Sequence, residues 1–111
     1  MKYFVTDNER THTAYHEFYK GKWDGKTFWK ADSLSLDDNV LYGHRGFADA
    51  LHKAVPEFDP YGITEISAEQ WLRLHNFIPE DDAESLEMYN EADKWLKAVF
   101  DEYGCFTILG L

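Results

Sequence analysis

The sequence predicts an α+β fold in which a small, mostly antiparallel sheet is covered by three or four helices. Short runs rich in aromatic and β-branched residues occur near both ends and in the middle of the chain, as is typical of strands. A long stretch near the C-terminus has apolar residues at helical spacing. The 111 residues contain no repeat or linker and suffice for one core, so we expect a single globular domain over residues 1–111.

The N-terminal part of the chain predicts a strand followed by a helix. Residues 2–6 are aromatic and β-branched and form the predicted N-terminal strand. Thr6 and Glu9 then stand at the spacing of a capping box, and apolar residues at helical spacing follow. We therefore expect a first helix over about 8–20.

An alternative for the same region is a longer hairpin. In that case residues 15–23 form a strand and pair with residues 26–30 through Asp24-Gly25, a strong two-residue turn signal. A shorter hairpin at this turn is expected in both cases and supplies the central hairpin of the sheet. Residues 31–39 are a turn-prone connection whose alternating leucines can extend the strand.

The middle of the chain alternates between helix and strand signals. Residues 46–55 carry apolar residues at helical spacing and are stopped by Pro56. The prolines and glycine of residues 57–62 indicate a loop. Residues 63–66 form a predicted strand, and a second capping box over residues 67–70 begins a third helix.

The longest predicted helix covers residues 81–103. Pro79 ends the preceding element, Asp81 or Asp82 can cap the first free amides, and Gly104 suits a left-handed C-terminal position. The buried stripe consists of Met88, Tyr89, Ala92, Trp95, Leu96, Val99, Phe100 and Tyr103. Residues 105–109 are apolar enough for a covered C-terminal strand.

Charge is distributed unevenly along the chain. Residues 1–55 contain eight Lys and Arg against eight Asp and Glu, whereas residues 56–111 contain three against thirteen. The whole net charge of −10 therefore belongs to the second half. A one-sided negative field repels nucleic-acid phosphates and speeds association with a basic partner protein. We expect no direct nucleic-acid binding.

These features favour a binding or inhibitor module that docks a basic partner through its acidic C-terminal half. Charged rim residues would set the association rate, and an exposed aromatic anchor would supply affinity. The candidate partner-binding residues are Glu80, Asp81, Asp82, Glu84, Glu87, Glu91, Asp101 and Glu102, with Tyr61 or Trp71 as the anchor.

In overall character the chain resembles bacterial immunity proteins, which bind and neutralise a partner toxin. The resemblance covers size, acidity, the α+β class and the lack of a catalytic constellation, and no individual residue is transferred from it. It implies that the basic partner is a toxin. An alternative within protein binding is nucleic-acid mimicry, in which two regularly spaced rows of carboxylates imitate phosphates and occupy a DNA-binding protein.

A small enzyme or ligand-binding domain is the alternative from another class. Its centre would be Gly43-His44-Arg45-Gly46, where His44 carries a proton, Arg45 holds an anion, and a concave pocket is required. We expect no catalytic, metal or cofactor site. His12 and His16 lack a third ligand and are interpreted as a surface pair, and Cys105 as a packing residue.

Two further expectations concern the lysine-rich region and the cell compartment. Lysines alternate with Trp23, Phe28 and Trp29 over residues 20–30, a pattern that can stack bases or sugars but also protects an edge hairpin. The N-terminus becomes polar too early for a signal peptide, and no apolar run is long enough to span a membrane. We therefore expect a cytoplasmic protein without membrane contact.

Overall fold

The computed structural model describes all residues, 1–111, as five strands and four α-helices. The strands are β1 (Phe4–Val5), β2 (Tyr15–Lys20), β3 (Leu34–Asp37), β4 (Ile63–Ser67) and β5 (Cys105–Leu109). The helices are α1 (Asp38–Gly43), α2 (Arg45–Ala54), α3 (Ala68–Phe77) and α4 (Ala83–Tyr103). The predicted α+β class, the antiparallel sheet and the long C-terminal helix are confirmed.

The strands form one sheet in the order β1-β3-β2-β5-β4, and every neighbouring pair is antiparallel. The central strand β2 and its neighbour β5 place Phe18 and Phe106 in the core, where both side chains are fully buried. Residues on α2, α3 and α4 complete this core on one face of the sheet. The sheet ends at β1, which is only two residues long, and at β4, which is five.

Except at Tyr103, which is predicted on the buried stripe but is 46% exposed, local signals and tertiary contacts agree along α4. The Asp82 side chain caps its first turn, and Gly104 ends it in the left-handed conformation at φ 77°. Met88 and Leu96 are completely buried on the stripe between these ends. Each large side chain buried in this way contributes about 1.5–3 kcal/mol, so α4 supplies a major part of the stability.

The helix predicted over residues 8–20 is wrong, because β2 occupies its second half. Five of the six β2 residues are buried, so the strand is covered on both faces and shows no alternation of apolar and polar residues. Its aromatic residues happen to fit helical spacing as well. The capping box does form, but it starts only a 3₁₀ turn at Asp7–Glu9.

The hairpin predicted at Asp24-Gly25 is also wrong, since β2 pairs with β3 and β5 and not with residues 26–30. The Asp24 carboxylate accepts the N–H groups of Lys26 at 3.0 Å and of Thr27 at 2.8 Å, so a local turn forms inside a longer loop. The central hairpin of the sheet is therefore β2–β3, and its connection is the loop of residues 21–33.

The other predicted elements are confirmed with small shifts. The predicted helix 46–55 is α2, the predicted strand 63–66 is β4, and residues 105–109 are β5. The second capping box forms at the start of α3, where Ser67 Oγ accepts the N–H of Gln70 at 3.2 Å. The 31–39 connection contains β3 and the start of α1, which was not predicted. No helix combines the length and apolar character needed to cross a bilayer.

Candidate functional site

The acidic residues at the start of α4 are partly used by the fold. The Asp82 carboxylate accepts the backbone N–H of Ser85 at 3.1 Å and its hydroxyl at 2.7 Å. The Glu84 carboxylate lies 3.5 Å from Nε2 of His44. Glu80 and Asp81 are exposed. Of this predicted group, Glu80, Asp81 and Glu84, whose side chain is 70% exposed, are therefore open to an outside partner.

Glu87 and Glu91 hold the N-terminal segment against α4. The Glu91 carboxylate accepts the backbone N–H groups of residues 2–4 at 2.8–2.9 Å. Glu87 accepts from Nζ of Lys2 at 2.9 Å and from the hydroxyl of Tyr3 at 2.8 Å. These hydrogen bonds lower the pKa of the Glu87 carboxyl and raise the pKa of Lys2 to about 12. Both predicted partner-binding acids thus have an intramolecular role.

Asp101 and Glu102 lie at the opposite end of α4 from Glu80 and Asp81 and are also exposed. A helix of 21 residues is about 30 Å long. The predicted carboxylates therefore form two separate groups, and the structure does not gather them in one small cluster.

The two candidate anchors lie in different surroundings. Tyr61 is 76% exposed in the loop before β4. Trp71 is 2% exposed, stacks on Tyr89 with ring centroids 4.6 Å apart, and donates its indole N–H to Asp93 at 3.1 Å. Trp71 is therefore a core residue and not a surface anchor, because the helical stripe that contains it faces the sheet. Tyr61 remains the candidate anchor.

An exposed apolar patch surrounds Tyr61 at the β4 edge of the sheet. The side chains of Phe28, Ile63 and Leu111 are 55%, 53% and 42% exposed. Together with Tyr61 and the buried Leu109 they line a cleft of about 390 Å³. Contiguous exposed apolar surface of this kind marks interaction sites on small proteins. We call these five residues the Tyr61 patch.

The segment that contributes Tyr61 and Ile63 to this patch carries only negative charge. Between Lys53 and Arg73 there are four acidic residues and no Lys or Arg, namely Glu57, Asp59, Glu65 and Glu69. Glu65 projects from β4 next to Ile63 and is exposed, as is Glu69 at the start of α3. Glu57 accepts a hydrogen bond from Gln70, and Asp59 accepts the N–H of Tyr61 at 2.9 Å. Exposed apolar side chains and exposed carboxylates therefore lie together at β4.

Sequence reasoning identified Tyr61 but missed the rest of the patch. Side chains alternate between the two faces of a strand, so Ile63 and Glu65 share one face and Ile66 lies on the other. Ile66 is fully buried. The exposure of Ile63 follows from the position of β4 at the sheet edge. That position depends on long-range pairing with β5, for which the local sequence contains no signal.

The His44 loop does not form the concave pocket that an enzyme hypothesis requires. Nδ1 of His44 lies 2.7 Å from the carbonyl oxygen of Val40, and its other ring nitrogen faces Glu84. The surface clefts are lined by other parts of the chain. His44 thus joins α1 to α2 and ties this junction to α4.

The interpretation of His12 and His16 as a surface pair is wrong for His16. In β2 this ring is completely buried, with Nε2 2.8 Å from a carboxylate oxygen of Asp38. His12 is exposed and its Nε2 lies 2.8 Å from Asp37. No group of three or more His, Cys, Asp or Glu side chains is arranged to hold a metal ion.

The aromatic residues of loop 21–33 are largely held by the protein itself. The guanidinium of Arg10 lies 4.1 Å from the ring centroid of Trp29, and the indole N–H of Trp23 donates to the carbonyl of Thr27 at 2.6 Å. Phe28 is the open aromatic side chain, and it belongs to the Tyr61 patch. Cys105 is buried, and burial raises the pKa of its thiol, in agreement with a packing role.

Comparison with protein-family models, with curated proteins and with solved structures finds no match for this chain. Its function must therefore be argued from its own surface. The strongest feature of that surface is the Tyr61 patch within the acidic segment between Lys53 and Arg73.

Proposed function

We propose that this protein is an acidic protein-binding module of the inhibitor or immunity type, which docks a basic partner through the Tyr61 patch and the carboxylates around it. The observation that carries the proposal is the coincidence of an exposed aromatic and aliphatic cleft with a segment of purely negative charge. Binding interfaces combine such an anchor with a charged rim.

Each part of the surface has a distinct role in this proposal. Tyr61 and Ile63 supply affinity, because their exposed apolar area is removed from water on binding. Glu65 lies next to Ile63 on β4, Glu69 follows at the start of α3, and both exposed carboxylates attract cationic side chains of the partner. The exposed acids at the two ends of α4 add to the long-range field and affect mainly the association rate.

Affinity capture with a matched pair of variants tests this function. Wild type, Tyr61→Ala and Leu72→Ala proteins are immobilised and exposed to native lysate, and retained proteins are eluted with increasing salt. Leu72 is the control, because its side chain on α3 is 62% exposed but lies outside the Tyr61 patch. We expect a basic protein that wild type and Leu72→Ala retain and Tyr61→Ala loses.

The charge part of the proposal is tested with the captured partner. Glu69→Lys should slow association at low salt and leave dissociation nearly unchanged, since a rim charge acts mainly on the encounter step. Affinity of the wild type should fall as salt rises to physiological concentration. Equal retention by Tyr61→Ala and wild type, or binding that is independent of salt, would contradict the proposed function.

A further inference from the structure

The outer edge of β4 carries free backbone hydrogen-bonding groups whose positions follow from the strand register. In an antiparallel pair, alternate residues direct their N–H and C=O groups toward the neighbouring strand. The N–H of Gly110 donates to the carbonyl of Gly62 at 2.8 Å, which extends the Ile63↔Leu109 register by one residue. The even-numbered residues of β4 therefore bond to β5, and Ile63 and Glu65 direct their backbone groups outward.

The pairing on the other side of β5 leads to the same assignment. The N–H of Gly21 donates to the carbonyl of Cys105 at 3.1 Å, so the odd-numbered residues of β5 bond toward β2. The even-numbered residues of β5 must then bond toward β4. None of the turn, loop or side-chain hydrogen bonds involves the backbone of Ile63 or Glu65, and both residues are exposed.

From this geometry we propose that β4 accepts an extended basic segment of the partner as an antiparallel sixth strand. The inference rests on the proposed function and specifies its binding mode. Addition of a strand to a sheet edge gains affinity from main-chain hydrogen bonds and specificity from alternate side chains. Ile63 and Glu65 together offer two donors and two acceptors, which a short partner strand satisfies.

Charge complementarity selects a basic partner over a second copy of this chain. The segment between Lys53 and Arg73 has four acids and no Lys or Arg, and the protein has a net charge of −10. Two copies paired through β4 would bring these negative segments together at close range, which is unfavourable. A cationic strand removes that repulsion and pairs with the exposed carboxylate of Glu65.

The register also fixes the side-chain pattern of the partner strand. Tyr61, Ile63 and Glu65 alternate along the chain, and Ile63 and Glu65 share the sheet face opposite to the buried Ile66. In an antiparallel partner the residue opposite Glu65 comes first and the residue opposite Ile63 follows two positions later. The partner should therefore read basic, any residue, aliphatic, any residue, aromatic, with the aromatic side chain at the Tyr61 patch.

A synthetic peptide tests this pattern directly. The probe is acetyl-Thr-Arg-Thr-Val-Thr-Tyr-Thr-amide, and its controls are the reversed sequence and the same sequence with Glu in place of Arg. Binding is followed by isothermal titration and by amide hydrogen exchange. We expect the probe to bind more tightly than both controls and to slow exchange at the amides of Ile63 and Glu65 by about tenfold or more.

Two substitutions at one position separate the backbone from the side chain. Glu65→Ala and Glu65→Pro both remove the carboxylate, but only proline removes the outward N–H, and it leaves the residues that bond to β5 unchanged. Glu65→Ala should weaken peptide binding by about 2- to 5-fold, the range for a cross-strand charge pair. Glu65→Pro should weaken it by about a further tenfold through the lost hydrogen bond.

Several outcomes would overturn strand addition. These are equal peptide affinities of Glu65→Pro and Glu65→Ala, no preference between the probe and its reversed sequence, unchanged exchange at Ile63 and Glu65, or a wild-type dimer that protects these amides without peptide. The exchange measurement on wild type decides the question even when the proline variant folds poorly. A partner that depends on Tyr61 but tolerates Glu65→Pro would retain the proposed function and exclude this binding mode.

Discussion

The carboxylate of Glu91 accepts the backbone N–H of Tyr3 at 2.9 Å, and so joins the C-terminal helix to the first residues of the chain. The same carboxylate also accepts the N–H groups of Lys2 and Phe4. These donors precede and begin β1, a strand of only two residues that also pairs with β3 and buries Phe4 in the core. Glu91, which the sequence predicts to bind a partner, therefore stabilises the edge of the sheet at β1.

We expect Glu91→Ala to lower the free energy of unfolding by about 2 kcal/mol, because three hydrogen bonds to a charged acceptor are lost. Urea denaturation measures this change. Asp101→Ala is the matched control, since it removes an exposed carboxylate near the other end of α4, and its effect should stay within about 0.5 kcal/mol. Equal losses in the two variants would show that Glu91 does not anchor β1.

A second carboxylate, which is buried, organises the loop of residues 21–33. Glu17 in β2 is 1% exposed and accepts the backbone N–H groups of Trp29 at 2.6 Å and Lys30 at 2.9 Å, and the hydroxyl of Ser33 at 2.7 Å. Trp29 has a positive φ of 57°, which is unfavourable for a large side chain. The bonds to Glu17 hold the loop in this conformation over the sheet.

Removal of this carboxylate should be among the most destabilising changes in the protein. We expect Glu17→Ala to lower the free energy of unfolding by more than about 3 kcal/mol, because it leaves several donors without an acceptor. Ser33→Ala removes one of the three donors and should cost about 1 kcal/mol. Denaturation followed by tryptophan fluorescence measures both, and a cost for Ser33→Ala equal to that for Glu17→Ala would contradict this account.

The elements that could be predicted from the sequence are those in which local and long-range interactions agree. The caps at Asp82 and Gly104 and the apolar stripe between them specify α4 without reference to the rest of the chain. The capping box at Ser67 likewise specifies the start of α3. In each case a sequence pattern of a few residues determines where the helix lies.

The errors arise where long-range pairing overrides a local preference. In β2, both faces are covered, and pairing with β3 and β5 outweighs the helical spacing of the aromatic residues. A local turn forms at Asp24, but it does not join two paired strands, because the N–H groups of Trp29 and Lys30 bond to the Glu17 carboxylate.

Part of the candidate site could also be predicted from the sequence. The exposure of Tyr61 follows from its position in a loop rich in proline and glycine. Trp71 lies on the apolar stripe of α3, and this position already predicts that its side chain is buried. The sequence therefore contained the signal against Trp71 as a surface anchor. The exposure of Ile63 requires knowledge of which strand ends the sheet.

Alkaline pH should destabilise the protein in part through Tyr89. Burial raises the pKa of its phenol from 10.0 to about 12, so the folded state disfavours the ionised form. This contribution to stability is complete below pH 10 and is lost progressively as pH rises toward 12. We expect Tyr89→Phe to show a shallower fall in melting temperature over this interval than wild type.

Absorbance at alkaline pH provides an independent measurement of the same group. In wild type one phenol should ionise with an apparent pKa near 12, and Tyr89→Phe should lack that step. Tyr61→Phe is the control, because it removes a phenol that is 76% exposed, and its melting temperature should follow the wild-type slope. Identical slopes for Tyr89→Phe and wild type would contradict a raised pKa at this position.

A double-mutant cycle tests the close approach of Gly46 to the cap of α4. A Cβ atom at Gly46 would clash with Oδ2 of Asp82, so Gly46→Ala must displace the carboxylate that accepts the N–H of Ser85 and caps α4. We expect Gly46→Ala to cost about 1 kcal/mol, the usual worth of a helix cap. In the Asp82→Ala background only Ser85 Oγ, at 3.1 Å from the added Cβ, remains close, and the same substitution should be nearly neutral because alanine favours α2 over glycine. Additive effects in urea denaturation would show that the two sites are not coupled.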